Sequence, residues 1–468
     1  MSEEISAGPA VGDLVSVRAQ KWVQQGFCLG YLDAPRPESE NKQGFPIFLH
    51  GALPGEDVQA RVTRSNNRHC FGLVEKVEQP APERLQSDCA VFPRCGGCSF
   101  RHIDYQSEVE LKLRLIAEFQ SLQNCIDIAR ERDQFQVHSG EPNGYRTRAR
   151  LHRETKTTPP GFYELHSNRI VPLPGDAGCR QLAPDLNAAI LEEIKEISEA
   201  NASSDANSDA RAKDDSAANE TATTGDDGSP NERASAASAT TGSADTKAND
   251  RAKRSANPRH HVLQLDLDDP VEVDGRPWTI PGGAFFQANQ FLLSDWLQAA
   301  RRMLGDRDSR GAPTAAKDSE SDGARPATLE LFCGSGLLGG NMRDLLGDYL
   351  GYDNAPTGLK AARGNFKRRG YEGRFENTDL YRRPVPVPRG TGLALINPPR
   401  AGMNQKQIPL LAEAGVGTIL YSSCNPATLN RDLGKFLERG YVAQAVEVFD
   451  FFPRTPHLEV LILLERES

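Results

Sequence analysis

Apolar residues along this 468-residue chain follow two rhythms, separated by a stretch with almost no large apolar side chain. Over residues 12–77, short apolar runs at 14–17, 30–31, 46–49, 58–62 and 70–74 alternate with Gly, Pro, Asn and Asp. Five short strands in so few residues predict a small β-barrel, an architecture common among oligonucleotide binders. Residues 108–122 carry Val109, Leu111, Leu113, Leu115, Ile116 and Phe119 at spacings that predict one amphipathic helix. Residues 144–151 alternate as a strand with Arg146, Arg148 and Arg150 on one face, and 161–171 supplies a pairing partner. From about 275 the rhythm becomes α/β. A helix over 287–303 displays Leu292, Leu293, Trp296, Leu297 and Met303, and strands are predicted at 327–332, 351–353, 392–396, 416–421, 446–449 and 459–464.

The intervening segment from about 200 to 257 is built of Ser, Ala, Asp, Asn and Thr and cannot bury enough surface to fold, so disorder is expected. A second polar stretch, 306–325, reads as an inserted loop. The predicted organisation is a barrel at 12–77, a cysteine-bearing central region at 85–191, an acidic disordered insertion at 192–257 and an α/β domain at 258–468. His261–Leu267-type and 271–280 runs survive as the only central strands after the insertion.

Charge must be read by segment. The net charge is -9, and residues 200–250 hold ten acidic and four basic residues, which supplies -6 of it. The rest is only mildly acidic and carries local basic runs such as 367–369, so the global sign does not exclude RNA. There is no membrane-length apolar run, and the N-terminus lacks a basic-then-apolar signal, so a cytoplasmic protein acting as a monomer is expected. Nine cysteines, an odd number spread over a long chain, argue against a disulfide scaffold.

Four of those cysteines form a pattern: Cys89, Cys95 and Cys98 with gaps of five and two residues, then Cys179 far downstream. The Cys95-Gly-Gly-Cys98 pair lets two thiolates face one metal centre, and folding can deliver the fourth. Spacing alone admits an iron–sulfur cluster, zinc, a redox pair or unliganded thiols. Cys28, Cys70 and Cys125 read as ordinary thiols.

Glu330, Phe332, Gly334 and Gly336 lie where a buried strand ends in a glycine turn, which permits close approach of backbone to a ligand. Asp353, at the end of the next strand, can accept hydrogen bonds from ribose hydroxyls. Neither a dinucleotide fingerprint nor a phosphate loop is present, so an adenosine cofactor without a required phosphate, such as S-adenosylmethionine, fits best. Asn397-Pro-Pro-Arg400 projects from another strand end; it also resembles the motif of amino-nitrogen methyltransferases.

Cys424, in Tyr421-Ser-Ser-Cys-Asn-Pro426, sits at a strand exit facing that cleft. A thiolate there can add to C6 of a pyrimidine, making C5 nucleophilic toward a sulfonium methyl; a base must then remove the C5 proton. Glu459, opening the last strand, is the candidate base and His457 its competitor.

In combination these motifs resemble the RNA (uracil-5-)-methyltransferase family, in particular its branch with an N-terminal TRAM barrel and an iron–sulfur cluster. The resemblance runs over nearly the whole chain apart from the insertions. It rests on the loop 51–56, the four cysteines, the segment Phe285-Phe-Gln-Ala-Asn289, the stretch 330–336, Asp353, 422–426 and 457–459. It implies a Rossmann-like class I methyltransferase domain behind an OB-like barrel. Cys89, Cys95, Cys98 and Cys179 are the implied ligands of a [4Fe-4S] cluster. Gln287 is the implied cofactor contact, Cys424 the nucleophile and Glu459 the base. The implied partner is RNA, with large-subunit (23S) ribosomal RNA ahead of transfer RNA because this branch resembles rRNA enzymes.

The chain departs from the family in three places. Asn397 stands where the family usually has Asp, keeping a carbonyl acceptor but losing the charge. Leu337-Leu338 replaces a Phe and a small polar residue, and the central β region is shortened. An amino-nitrogen methyltransferase and a non-catalytic RNA-binding protein are the rival readings. A cytosine-5 enzyme would carry a Pro-Cys where Asn397-Pro-Pro stands.

Overall fold

The computed structural model describes residues 8–33, 44–218, 261–266, 271–273, 275–281, 289–305 and 325–467. Strands β1 (Leu14–Val23), β2 (Phe27–Leu32), β3 (Phe45–His50), β4 (Asp57–Ser65) and β5 (Cys70–Gln79) close into the expected barrel, in the order β1-β2-β3-β5-β4. Alternation fills its interior with Val17, Ile47, Leu49, Val58, Ala60 and Val62. The loop 51–56 is tied from inside. Glu56, fully buried, accepts hydrogen bonds from the Leu53 amide at 2.7 Å and from Arg84 Nη2 at 2.6 Å.

The single helix expected over 108–122 is two helices: α1 (Tyr105–Ile116) and α2 (Gln120–Glu131). Asp104 caps the first, accepting from the Ser107 amide at 2.9 Å. The second has no local cap. Asn430, from a distant helix, supplies Oδ1 to the Ser121 amide at 2.8 Å and to the Leu122 amide at 3.2 Å. That tertiary cap is why the chain breaks and restarts here. After α2, the short strand β6 (Phe135–His138) leaves the central region and joins the C-terminal sheet.

Strands β7 (Arg148–Arg153), β8 (Gly161–Tyr163), β9 (Ile170–Pro172) and β10 (His261–Asp266) form a small sheet ordered β10-β7-β8-β9. Helix α3 (Pro184–Ala218) lies between β9 and β10 in sequence. It packs Leu186, Ile190 and Ile194 against Ala149 and Leu151 of β7. Disorder was expected from 192; instead the helix continues to 218, since Ala, Glu and Lys favour it and its isoleucines are buried. The remainder of that stretch, and most of the 306–325 loop, lies outside the described residues. The strand expected over 144–151 begins only at Arg148, and Arg146 instead bridges the backbone of Leu182 and Asn289. The three arginines therefore do not share one face. A hairpin, β11 (Val271–Val273) with β12 (Arg276–Trp278), follows.

The C-terminal layer contains α4 (Leu293–Gly305), β13 (Ala327–Leu331), α5 (Leu337–Asn341), β14 (Tyr349–Asp353), α6 (Pro356–Arg368), β15 (Arg374–Asn377) and β16 (Thr391–Ile396). It ends with α7 (Gln407–Glu413), β17 (Thr418–Ser423), α8 (Pro426–Leu437), β18 (Tyr441–Phe449) and β19 (Glu459–Arg466). Its eight strands run β15-β14-β13-β16-β17-β19-β18-β6. The pairs from β15 to β17 are parallel and β19 is antiparallel to both neighbours. Leu122, Ile408, Leu429 and Phe436 cover one face, and Trp296, Leu338, Leu359 and Phe366 the other. This is the doubly wound α/β layer predicted, with ligand space at the strands' carboxyl edge. Among the described residues no helix is long and apolar enough to cross a membrane.

Candidate active site

The turn after β13 bends through three left-handed residues: Phe332 (φ 62°), Gly334 (φ 53°) and Gly336 (φ 74°). It opens a cleft lined by Trp296, Phe332, Gly334, Asp353, Tyr381 and Asn397. Asp353 braces the turn, accepting from the Gly334 amide at 2.9 Å and the Ala355 amide at 2.7 Å. Glu330 reaches the cleft floor, but its carboxylate is engaged inward by the Tyr349 hydroxyl at 2.6 Å and the Gly339 amide at 3.0 Å. Burial pushes Glu330 up to about 8 from the usual carboxylate range. It serves the turn's architecture, whereas Asp353 and Asn397 stand at the rim. Gln287 falls outside the described residues. Asn289, two positions on, is buried, donates to the Phe451 carbonyl at 3.2 Å and accepts from the Phe291 amide at 3.0 Å.

Cys424 follows the last residue of β17 and lines a larger cleft. Gln24 and Phe27 of the barrel, Arg146, His166, Arg400 and His457 line the same space. Asn425 caps α8 by accepting from the Ala427 amide at 3.2 Å, and its Nδ2 donates to the Arg400 carbonyl at 2.7 Å. The cysteine turn and the Asn397–Arg400 loop are thereby fastened together. Burial first, then the Glu459 carboxylate, pushes the Cys424 thiol up to about 12, while Arg400 works against both. The exposed Arg400 is thus the cation that favours the thiolate.

Glu459 is 1% exposed and accepts a hydrogen bond from the Ser422 hydroxyl. Trp296 Nε1 in turn donates to Ser422 Oγ at 3.1 Å. His457 lines the cleft, but burial pushes it down to about 3, so it is a poor proton acceptor at neutral pH. Sequence reasoning passed over Arg400, Ser422, Trp296 and Tyr381. Strand alternation could have flagged Ser422, which is two residues from Cys424 and so on the same side of β17.

The four patterned cysteines come together. Cys89, Cys95, Cys98 and Cys179 line one small recess, with Arg101 and Arg146 in its wall. The Cys95 thiol, pushed up to about 12 mainly by burial, also feels the other three. Among the described residues, however, no group of three or more His, Cys, Asp or Glu side chains is gathered as a single metal ion would require. The donor chemistry is that of a soft-metal site.

The layer order, the strand-end cleft and the braced turn define a class I methyltransferase fold. Along nearly its whole length the chain superposes on the Pyrococcus abyssi tRNA (uracil-54, C5)-methyltransferase. The TM-score is 0.60 at 17% identity, covering 96% of this chain and 99% of that one. Residues 391–467, which contain Cys424 and Glu459, match the tRNA (Uracil-5-)-methyltransferase family. An uncharacterized RNA methyltransferase of Leptospira interrogans is 28% identical over 97% of this chain and 95% of its own. The 23S rRNA (uracil(1939)-C(5))-methyltransferase RlmD of Shewanella sp. is 27% identical over 94% and 96%. Over residues 391–467 the chain matches that family, along nearly its whole length it is similar to RNA uracil-5-methyltransferases, and it is an S-adenosylmethionine-dependent RNA methyltransferase.

Proposed function

We propose that this enzyme methylates C5 of a uridine in RNA through a covalent Cys424–C6 adduct. The observation that carries the reading is the placement of Cys424 and Glu459 at one sheet end, with Cys424 lining the larger cleft. The cleft at β13 would hold S-adenosylmethionine, with Asp353 toward the ribose and Phe332, Gly334 and Asn397 lining it; Gly336 of the same turn and Gln287 are further proposed cofactor residues. Asn397 supplies a neutral carbonyl acceptor in place of a carboxylate. The target uridine leaves its stack and enters beside Cys424. The Cys424 thiolate adds to C6; C5 takes the methyl and S-adenosylhomocysteine leaves. Glu459 takes the C5 proton, the C5–C6 double bond reforms and the thiolate departs. The barrel, Arg148 and Arg150 engage the RNA backbone and flanking bases.

Cys89, Cys95, Cys98 and Cys179 are the proposed ligands of a [4Fe-4S] cluster. Four soft donors around one recess, with Arg101 and Arg146 to offset negative charge, support it. A lone zinc would need all four sulfurs about 2.3 Å from one centre. When bound, the cluster would cross-link the cysteine loop to Cys179 ahead of α3; the reaction needs no electron from it.

The substrate expectation changes. Large-subunit rRNA stood first in the sequence reading. The family match over the segment bearing Cys424 and Glu459 is named for tRNA, which moves transfer RNA to the front; the relatives named for 23S rRNA keep rRNA as the second reading. The test is transfer of labelled methyl to purified tRNA and rRNA, followed by mapping of 5-methyluridine. Cys424→Ala is expected to abolish transfer, and full activity in that variant would refute the mechanism. An amino-nitrogen methyltransferase would form no adduct with 5-fluorouridine RNA, and a non-catalytic binder would transfer no methyl group.

A further inference from the structure

Ser422 is a fully buried hydroxyl between Tyr421 and Ser423 of β17. Burying a hydroxyl is unfavourable unless it is hydrogen-bonded, and here both of its capacities are used. The indole of Trp296 is a donor only, so at 3.1 Å its Nε1–H must point to Ser422 Oγ. The single hydroxyl proton of Ser422 then goes to Oε1 of Glu459. The direction of the chain Trp296 → Ser422 → Glu459 is fixed by chemistry. Trp296 is 2% exposed and Glu459 1%, so water does not compete for these bonds. Trp296 also lines the cofactor cleft.

We propose that Ser422, itself oriented by Trp296, is a positioning residue for proton removal at C5. It rests on the reading of Glu459 as the base. In that step the C5–H bond breaks, the proton passes to the Glu459 carboxylate, and the C–H electron pair becomes the C5–C6 double bond. The C6–S bond breaks and Cys424 leaves as thiolate. Proton abstraction is sensitive to the direction of the carboxylate lone pair, and a donor on one oxygen sets the plane of the group. The hydroxyl also favours the charged, basic form of a carboxylate taken out of water. Addition to C6 and methyl transfer precede this step and do not draw on Ser422.

RNA carrying 5-tritiated uridine separates the steps, because methyl incorporation and tritium release are counted independently. In Ser422→Ala, methyl incorporation into a protein–RNA adduct keeps its rate while tritium release slows by about tenfold, the scale of one hydrogen bond to a charged group. The methylated adduct accumulates on a denaturing gel, which also reports that the variant is folded. Ser422→Thr, which retains the hydroxyl, restores release. Trp296→Phe, which removes only the indole donor, slows release by about threefold. Tritium release at the wild-type rate in both Ser422→Ala and Trp296→Phe would overturn the proposal. So would equal slowing of methyl incorporation and release in every variant. The base is tested apart from this: Glu459→Gln that released tritium normally would remove the base reading itself, whatever Ser422→Ala did.

Discussion

Cys424 and Glu459 stand opposite each other where β17 and β19 run out of ladder. Ser422 pairs with Leu461 and Ser423 with Val460, so the next step along both chains faces the cysteine with the glutamate. Antiparallel register, not nearness in sequence, brings nucleophile and base to one sheet end. The proximity has an electrostatic consequence: the Glu459 carboxylate opposes ionisation of the thiol, and Arg400 favours it.

A pH dependence follows from that balance. The thiol is pushed up to about 12, so thiolate is the minor form near neutrality. Its fraction rises about tenfold per pH unit below that value. Adduct formation with 5-fluorouridine RNA, followed by rapid quench between about pH 7 and 9, is expected to accelerate with pH. Arg400→Ala removes the cation that lowers the thiol and slows adduct formation by about tenfold at each pH. A flat profile with an unaffected Arg400→Ala variant would contradict this electrostatic assignment.

The barrel and the C-terminal strands were legible because apolar alternation and short apolar runs between turn residues are local signals. Cys89, Cys95, Cys98 and Cys179 were legible as a set, and the recess they line agrees. What local pattern could not carry was long-range. Helix α2 is capped by Asn430, so its start is invisible near Gln120. Strand β6 has four residues, one of them a buried-edge partner of Val446, and joins a sheet built three hundred positions later. Strand β15 reads Arg-Phe-Glu-Asn, with only Phe375 buried. Within the site, Glu330 looked like a ligand contact because it precedes the glycine turn. Only the partners of its carboxylate show it turned inward.

Glu330 supplies a stability prediction. Its carboxyl is raised from 4.5 to about 8 by burial, so folding favours the protonated form. Its contribution to stability is fully present below about pH 4.5, where both states are protonated, and is lost as pH rises through about 8. Glu330→Gln keeps the shape and cannot ionise. The variant is expected to gain stability relative to the wild type as pH rises across that window. Urea denaturation at pH 5 and 8 measures the difference; a gap that shrinks with pH would reverse the sign.

Gly334 tests the braced turn. A Cβ there meets nothing within 4 Å, so any cost comes from its φ of 53° rather than from crowding. Gly334→Ala is expected to destabilise by about 1 kcal/mol, the scale of a left-handed non-glycine residue. S-adenosylmethionine affinity measured by calorimetry is expected to fall with it, because the Gly334 amide is the donor that holds Asp353. Unchanged affinity would detach Asp353 from the cofactor.

Glu56 tests the barrel loop. It is buried and accepts from Leu53, Ala81 and Arg84. Glu56→Ala leaves two amides and a partly buried guanidinium without their acceptor, and is expected to cost about 3 kcal/mol. Thermal unfolding checks it; a loss below about 1 kcal/mol would mean that water replaces the carboxylate.

Lys112 joins helix α1 to the segment between β18 and β19. Its ammonium, 2% exposed with its residue, sits between Glu108 at 2.6 Å and Asp450 at 2.9 Å and also donates to the Phe452 carbonyl at 3.3 Å. Glu108 in turn accepts from the Arg454 amide at 2.6 Å. Helix α1 is thereby pinned to the segment that runs from β18 to His457 and Glu459. Lys112→Met removes the ammonium shared by two buried carboxyl groups, leaving the Arg454 guanidinium, 3.3 Å from Glu108, as the remaining cation, and is expected to cost about 3 kcal/mol. The triple variant Lys112→Met, Glu108→Gln, Asp450→Asn removes both carboxylates while keeping the volume, but takes from Arg454 its counter-charge on Glu108, and is expected to recover part of that loss. Recovery of stability without recovery of turnover would separate the two duties of the cluster: electrostatic neutrality keeps the fold, and the ion pair holds the loop that delivers Glu459. Chemical denaturation and single-turnover methyl transfer on the same three proteins decide it. Equal turnover in the triple variant and the wild type would show that the ion pair contributes stability alone.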